Sequence, residues 1–148
     1  MSAVIFIPAR YASSRYPGKP LVELTGATGE ARSLIRRAWD AALSVEGVAA
    51  VYVLTDDDRI AEAARGFGAE VLMTSEQARN GTERCAEGLA QLDGTPEIVI
   101  NLQGDAPLTP PWFVEALIAA MRDPSVEMAT PVLRTDPETL ANFVTDRH

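Results

Sequence analysis

Histidine is almost absent from this sequence. The one copy is His148, the last residue, and a side chain at a fraying terminus is poorly placed to act as a general base. Ser–His and Cys–His nucleophile pairs are therefore not expected. Cysteine also occurs once, as Cys85, so no internal disulfide can form and reducing surroundings are expected. Zinc sites built from several Cys and His fail on the same count. No apolar run approaches the roughly 20 residues of a membrane helix, and the start, Met1 to Pro8, has no basic segment of the kind that opens a signal peptide. A cytoplasmic location without a membrane partner is the expectation. Positive charge is scarce: 13 Lys and Arg stand against 21 Asp and Glu, a formal net charge of −8. General nucleic-acid binding needs a basic face, so no nucleic-acid partner is expected.

What is present is an ordinary globular composition, 47% apolar and 23% charged over 148 residues. That length suits one domain whose core needs no staple. Short β-branched runs predict strands at Val4–Ile7, Val51–Leu54, Glu70–Met73, Ile98–Leu102 and Met128–Leu133. Helical spacing predicts helices over 31–44, from a cap at Thr55 or Asp56 to about Phe67, over Thr82–Leu92, and after Pro110 and Pro111, where Phe113, Val114, Leu117, Ile118 and Met121 recur. Residues 9–20, with two prolines and a glycine, read as a loop. Strands alternating with helices define an α/β fold, a parallel sheet with helices on both faces. In the common strand order 3-2-1-4-5, ligands bind where the order reverses, between the first and fourth strands. The loops there are residues 8–20 and Gln103–Pro107.

Both loops have unusual chemistry. The first carries Arg10, Arg15 and Lys19, the chain's one lysine, before the first acidic residue, Glu23. Arginine forks and an ammonium suit a polyphosphate, and Gly18 lets backbone come close; the alternative is a solubilising surface loop. In the second, Asp105 follows a hydrophobic strand and Gly104. A carboxylate there could hold Mg²⁺ against phosphate oxygens, or simply bond its own turn. Asp56, Asp57 and Asp58 read as helix caps rather than metal ligands. Asn80–Arg84 reads either as a turn and cap or as part of the site. Cys85 reads as a small buried apolar residue. Established phosphate loops do not fit: Ser13 and Pro20 break a Walker pattern, and Gly66-Phe67-Gly68 leads into a strand.

Ile7-Pro8-Ala9-Arg10-Tyr11-Ala12-Ser13-Ser14-Arg15-Tyr16-Pro17-Gly18-Lys19-Pro20-Leu21 resembles the signature of the 3-deoxy-manno-octulosonate cytidylyltransferases, the CMP-Kdo synthetases. Thr55-Asp56-Asp57, Gly81-Thr82-Glu83-Arg84 and Asn101-Leu102-Gln103-Gly104-Asp105 follow in the family's order and spacing. The acylneuraminate cytidylyltransferases are related but less similar. The resemblance implies a three-layer α/β/α Rossmann-like nucleotidyltransferase fold. It also implies activation of Kdo by CTP to give CMP-Kdo and pyrophosphate, for lipopolysaccharide biosynthesis. By the same resemblance Lys19, Arg10 and Asp105 are catalytic and Asp105 binds Mg²⁺. Pro8, Ala9, Arg10, Ser13, Arg15, Lys19, Gly81, Thr82, Arg84 and Gln103 bind the nucleotide, and the family is homodimeric. Two departures stand out. Ala106 occupies the family's usual glutamate position, and family members are considerably longer. Residues 1–148 are thus expected to form a nucleotide-binding domain lacking the C-terminal sugar-binding and dimerisation portion, with weak or no activity by itself. The alternatives are a nucleotidyltransferase for another sugar acid, acylneuraminate-like, and a non-catalytic nucleotide-binding module.

Overall fold

The computed structural model describes residues 2–132 and 134–145. The elements are β1 (Ala3–Pro8), a 3-10 turn (Lys19–Leu21), β2 (Glu23–Thr25), β3 (Ala31–Ser33), α1 (Leu34–Leu43), β4 (Ala50–Thr55), α2 (Asp58–Gly66), β5 (Glu70–Met73), α3 (Gly81–Leu89), β6 (Ile98–Asn101), α4 (Pro111–Ala120) and α5 (Pro137–Thr145). Four strands form a parallel sheet in the order β5-β4-β1-β6. Counting these four alone, the order is third, second, first, fourth, as the alternation of elements predicts.

β1 lies at the centre and is buried along its whole length. Successive side chains leave a strand on opposite faces, and the two faces are covered differently. Ala3, Ile5 and Ile7 pack with Ile35 and Ala38 of α1, Ile60 and Ala64 of α2, and Val114 and Ile118 of α4. Val4 and Phe6 pack with Leu54 and with Cys85 of α3. α3 comes close because of Gly88: a Cβ there would overlap Leu54 Cδ2. Burial on both faces is what makes the strands read as continuous apolar runs.

Several boundaries differ from the sequence reading. The helix expected over 31–44 begins at Leu34, because Ala31–Ser33 pairs antiparallel with Glu23–Thr25. The cap of α2 is Asp57, whose carboxylate accepts from the N–H groups of Arg59 and Ile60. Thr55 remains in β4, and Asp56 turns toward Arg84. The helix expected over Thr82–Leu92 ends at Leu89. No strand forms over 128–132, where Met128 and Val132 are exposed, and Leu133 lies outside the described residues. A parallel strand needs a paired neighbour and two covered faces, and Pro131 removes a ladder donor. Instead α5 follows, with Phe143 and Val144 exposed. At the other margin, β6 pairs with β1 alone among the described residues. α4 is apolar nearly all round, yet Trp112 on it and Leu108 just before it are exposed.

Candidate active site

β1 and β6 are adjacent and parallel, so the loops leaving them emerge side by side. The sheet ladder continues into both: Ala9 N–H donates to Leu54 O at 2.8 Å and Leu102 N–H to Phe6 O at 2.9 Å. The two loops then touch. A Cβ at Gly104 would stand 3.0 Å from Pro8 O and 3.5 Å from Ala9 Cβ. The start of α3 closes a third side. A Cβ at Gly81 would stand 3.0 Å from Gln103 Nε2 and 3.2 Å from Pro8 Cγ. Gln103 Nε2 donates to Asn101 Oδ1 at 2.7 Å, so the side amide is already oriented. Pro8, Ala9, Gly81 and Gln103, all expected at the site, are thus gathered at one spot. Asn101 belongs to the same spot; its presence in the motif was visible in the sequence, its bond to Gln103 was not.

On the rim, Lys19 Nζ lies 2.9 Å from Asp105 Oδ2, and both side chains are about half exposed (48% and 55%). A pair so exposed contributes little to stability. The contact instead records that the cationic loop and the strand-end carboxylate face each other. Arg10 and Arg15 are exposed on that loop, and neither has an acidic partner among the described residues. Ser13 Oγ accepts from Tyr16 N–H at 3.4 Å and so shapes the loop. Thr82 is exposed on the first turn of α3, behind the Asn80 cap, whose side chain accepts from Glu83 N–H at 2.9 Å.

Arg84 is placed differently from the other expected nucleotide contacts. Its side chain is 4% exposed and is committed to Thr74 Oγ1, to Ser75 O at 3.4 Å and to Asp56 Oδ1 at 3.5 Å. It ties α3 to the ends of β4 and β5. Beyond the rim, Arg59 NH2 meets Asp57 Oδ2 at 2.6 Å, and its guanidinium lies 3.3 Å from the centre of the Tyr11 ring. That guanidinium, together with the N–H groups of Arg59 and Ile60, holds the Asp57 carboxyl below the usual carboxylate range. Sequence reading offered no signal for this contact, because Tyr11 and Arg59 are far apart in the chain. A separate cleft of about 330 Å³ lies between the β2–β3 hairpin, α1 and α2, lined by residues including Leu21, Arg32, Arg36 and Phe67. Arg32 there is already paired with Glu30 and Asp40.

The cationic loop, the strand-end carboxylate and the glycine-lined wall stand at the carboxyl edge of a parallel sheet. That is where open α/β folds take their ligands. The profile of the cytidylyltransferase family matches residues 4–144, and the chain belongs to that family. It is 45% identical over 148 residues to the 3-deoxy-manno-octulosonate cytidylyltransferase of Maricaulis maris (strain MCS10), covering 99% of this chain and 55% of the relative. It is 44% identical over 129 residues to the Escherichia coli enzyme of the same name, covering 86% and 50%. Among solved structures, a CMP:2-keto-3-deoxy-manno-octonic acid synthetase complexed with CTP superposes with a TM-score of 0.78 at 43% identity, over 85% of this chain and 50% of that one. The chain spans about half the length of these relatives. Among the described residues, no helix is long and apolar enough to cross a membrane.

Proposed function

We propose that this chain is the nucleotide-binding part of a cytidylyltransferase that activates the sugar acid Kdo with CTP, yielding CMP-Kdo and pyrophosphate for lipopolysaccharide synthesis in the cytoplasm. The reading is supported by the names of the relatives, by the CTP complexed with the similar synthetase, and above all by the Lys19–Asp105 pair. In this reaction a sugar hydroxyl attacks the α-phosphorus of CTP. The bond to the pyrophosphate oxygen breaks, and the hydroxyl proton passes to solvent or a nearby base. Negative charge grows on the phosphate oxygens, and fixed cations lower that barrier. No side-chain nucleophile is required.

Lys19 would hold the outer phosphates, with Arg10 and Arg15 adding charge from the same loop. Gln103 and the wall at Pro8, Ala9 and Gly81 would receive the base and ribose, with Thr82 and Ser13 at the margins. Asp105 would hold Mg²⁺. Its exposed carboxylate fits that ion, which commonly takes one or two carboxylates and completes its shell with water and phosphate oxygens. Among the described residues there is no cluster of three acidic, Cys or His ligands. The ion would neutralise phosphate charge. In the free chain Lys19 and Asp105 satisfy each other; a metal–triphosphate offers each a partner of opposite charge.

The test is titration of CTP and CMP, with and without Mg²⁺, into wild type, Lys19→Ala and Asp105→Ala. Lys19→Ala should weaken CTP more than CMP, and Asp105→Ala should abolish the gain that Mg²⁺ gives CTP. Equal losses for both nucleotides, or an untouched magnesium dependence, would overturn the assignments. Because the chain spans half of its relatives' length, we expect weak or no turnover from the 148-residue polypeptide alone. Homodimerisation is expected only of a chain as long as the relatives.

A further inference from the structure

The loop that presents Lys19 is braced by Tyr11, Asp57 and Arg59, none of which was given a part in nucleotide binding above. Asp57 caps α2, accepting from Arg59 N–H at 3.0 Å, and the same carboxylate takes Arg59 Nε at 3.0 Å and NH2 at 2.6 Å. This two-point grip fixes a side chain that would otherwise sample many rotamers. It lays the guanidinium over Tyr11, 3.3 Å from the ring centre, where the negative face of the ring attracts it. The edge of Tyr11 presses on the turn ahead of Lys19. A Cβ at Gly18 would stand 3.0 Å from Tyr11 Cε2 and Cζ, and Gly18 has φ +71°. Gly18 N–H also donates to Tyr11 O at 2.9 Å. The next residue, Lys19, reaches Asp105 at 2.9 Å.

We propose that Asp57, Arg59 and Tyr11 are positioning residues: they hold the Gly18–Lys19 turn so that the lysine ammonium stands opposite Asp105, and thereby set the affinity for the outer phosphates of a nucleoside triphosphate. The inference rests on the reading of Lys19 as a phosphate ligand. None of the three needs to touch the nucleotide. The contact requires the face of the Tyr11 ring and leaves its hydroxyl unused.

The experiment measures Mg²⁺–CTP and CMP dissociation constants by calorimetry for wild type, Tyr11→Phe, Tyr11→Leu and Arg59→Gln, with thermal melting as a check on folding. Tyr11→Leu and Arg59→Gln should weaken CTP about three- to tenfold and leave CMP within about twofold. Tyr11→Phe keeps the ring and should match wild type for both. If Tyr11→Leu fails to fold, Arg59→Gln carries the test, since that side chain is 59% exposed. Variants that bind CTP as wild type does, or lose both nucleotides equally, overturn the proposal, as does a Tyr11→Phe as weak as Tyr11→Leu. A wild-type chain that binds neither nucleotide removes the proposed function itself, and this inference with it.

Discussion

Arg84 and Asp56 form an ion pair between the first turns of α3 and the end of β4, 3.5 Å apart, with the arginine side chain 4% exposed. At that separation the contact is electrostatic without hydrogen-bond geometry, and Asp56 Oδ1 finds no hydrogen-bond donor among the described residues. Removing the arginine strands a largely buried carboxylate. Arg84→Met should lower stability toward the low end of about 3–5 kcal/mol, since Asp56 keeps some water. The double variant Arg84→Met with Asp56→Asn should recover part of the loss. Urea denaturation of wild type, Arg84→Met, Asp56→Asn and the double variant measures this. Additive losses would mean the two side chains act separately.

Gly88 sets the distance between α3 and the sheet. Alanine is the better helix former by about 1 kcal/mol, but its methyl would overlap Leu54, which is fully buried. Overpacking a core costs about 1–3 kcal/mol. Gly88→Ala should therefore be destabilising on balance, and Gly88→Val more so. A raised melting temperature for the alanine variant would show that Leu54 yields easily.

Asp57 should contribute to stability with a definite pH dependence. Its folded carboxyl lies below the ordinary 3.8, chiefly because Arg59 bonds it. A depressed carboxyl stabilises fully above its unfolded value and loses that contribution as the pH falls through the folded one. Asp57→Asn retains a good cap residue but not the charge. Its deficit against wild type should be clear at pH 7 and shrink below about pH 3.8. Urea midpoints at pH 7 and pH 3 check this; a gap that persists or widens in acid contradicts it.

Cys85 packs with Val4, Phe6 and Leu54, and burial pushes its thiol up to about 11. The thiolate is the reactive form, so a maleimide at pH 8 should label the folded chain slowly and the urea-unfolded chain at the rate of a free cysteine. Rapid labelling of the native protein would place the thiol at the surface.

The four parallel strands were legible because burial on both faces leaves continuous β-branched runs, as in Val4–Ile7 and Val51–Leu54. The two halves of the candidate site were legible because a net-negative chain concentrates Arg10, Arg15 and Lys19 in one loop and sets Asp105 after a strand. The β2–β3 hairpin was not, since Glu23–Thr25 is exposed throughout and shows no apolar alternation. α5 lacks a buried residue and was invisible for the same reason. Met128–Leu133 misled because apolar composition suggests a strand without supplying a neighbour to pair with. Arg84 was legible only in part: its motif marks the residue, while its burial and its contacts with Thr74, Ser75 and Asp56 show only in three dimensions. The Arg59–Tyr11 stack joins distant segments, which no local pattern encodes.

Among the described residues the outer margin of β6 is unpaired, and it ends at Asn101, the residue that orients Gln103. Backbone donors and acceptors along that margin form a template for another strand. A strand added there would run up to the Gln103 amide beside Gly81 and Pro8. Any strand that pairs there would adjoin the segment whose Asn101 orients the Gln103 amide.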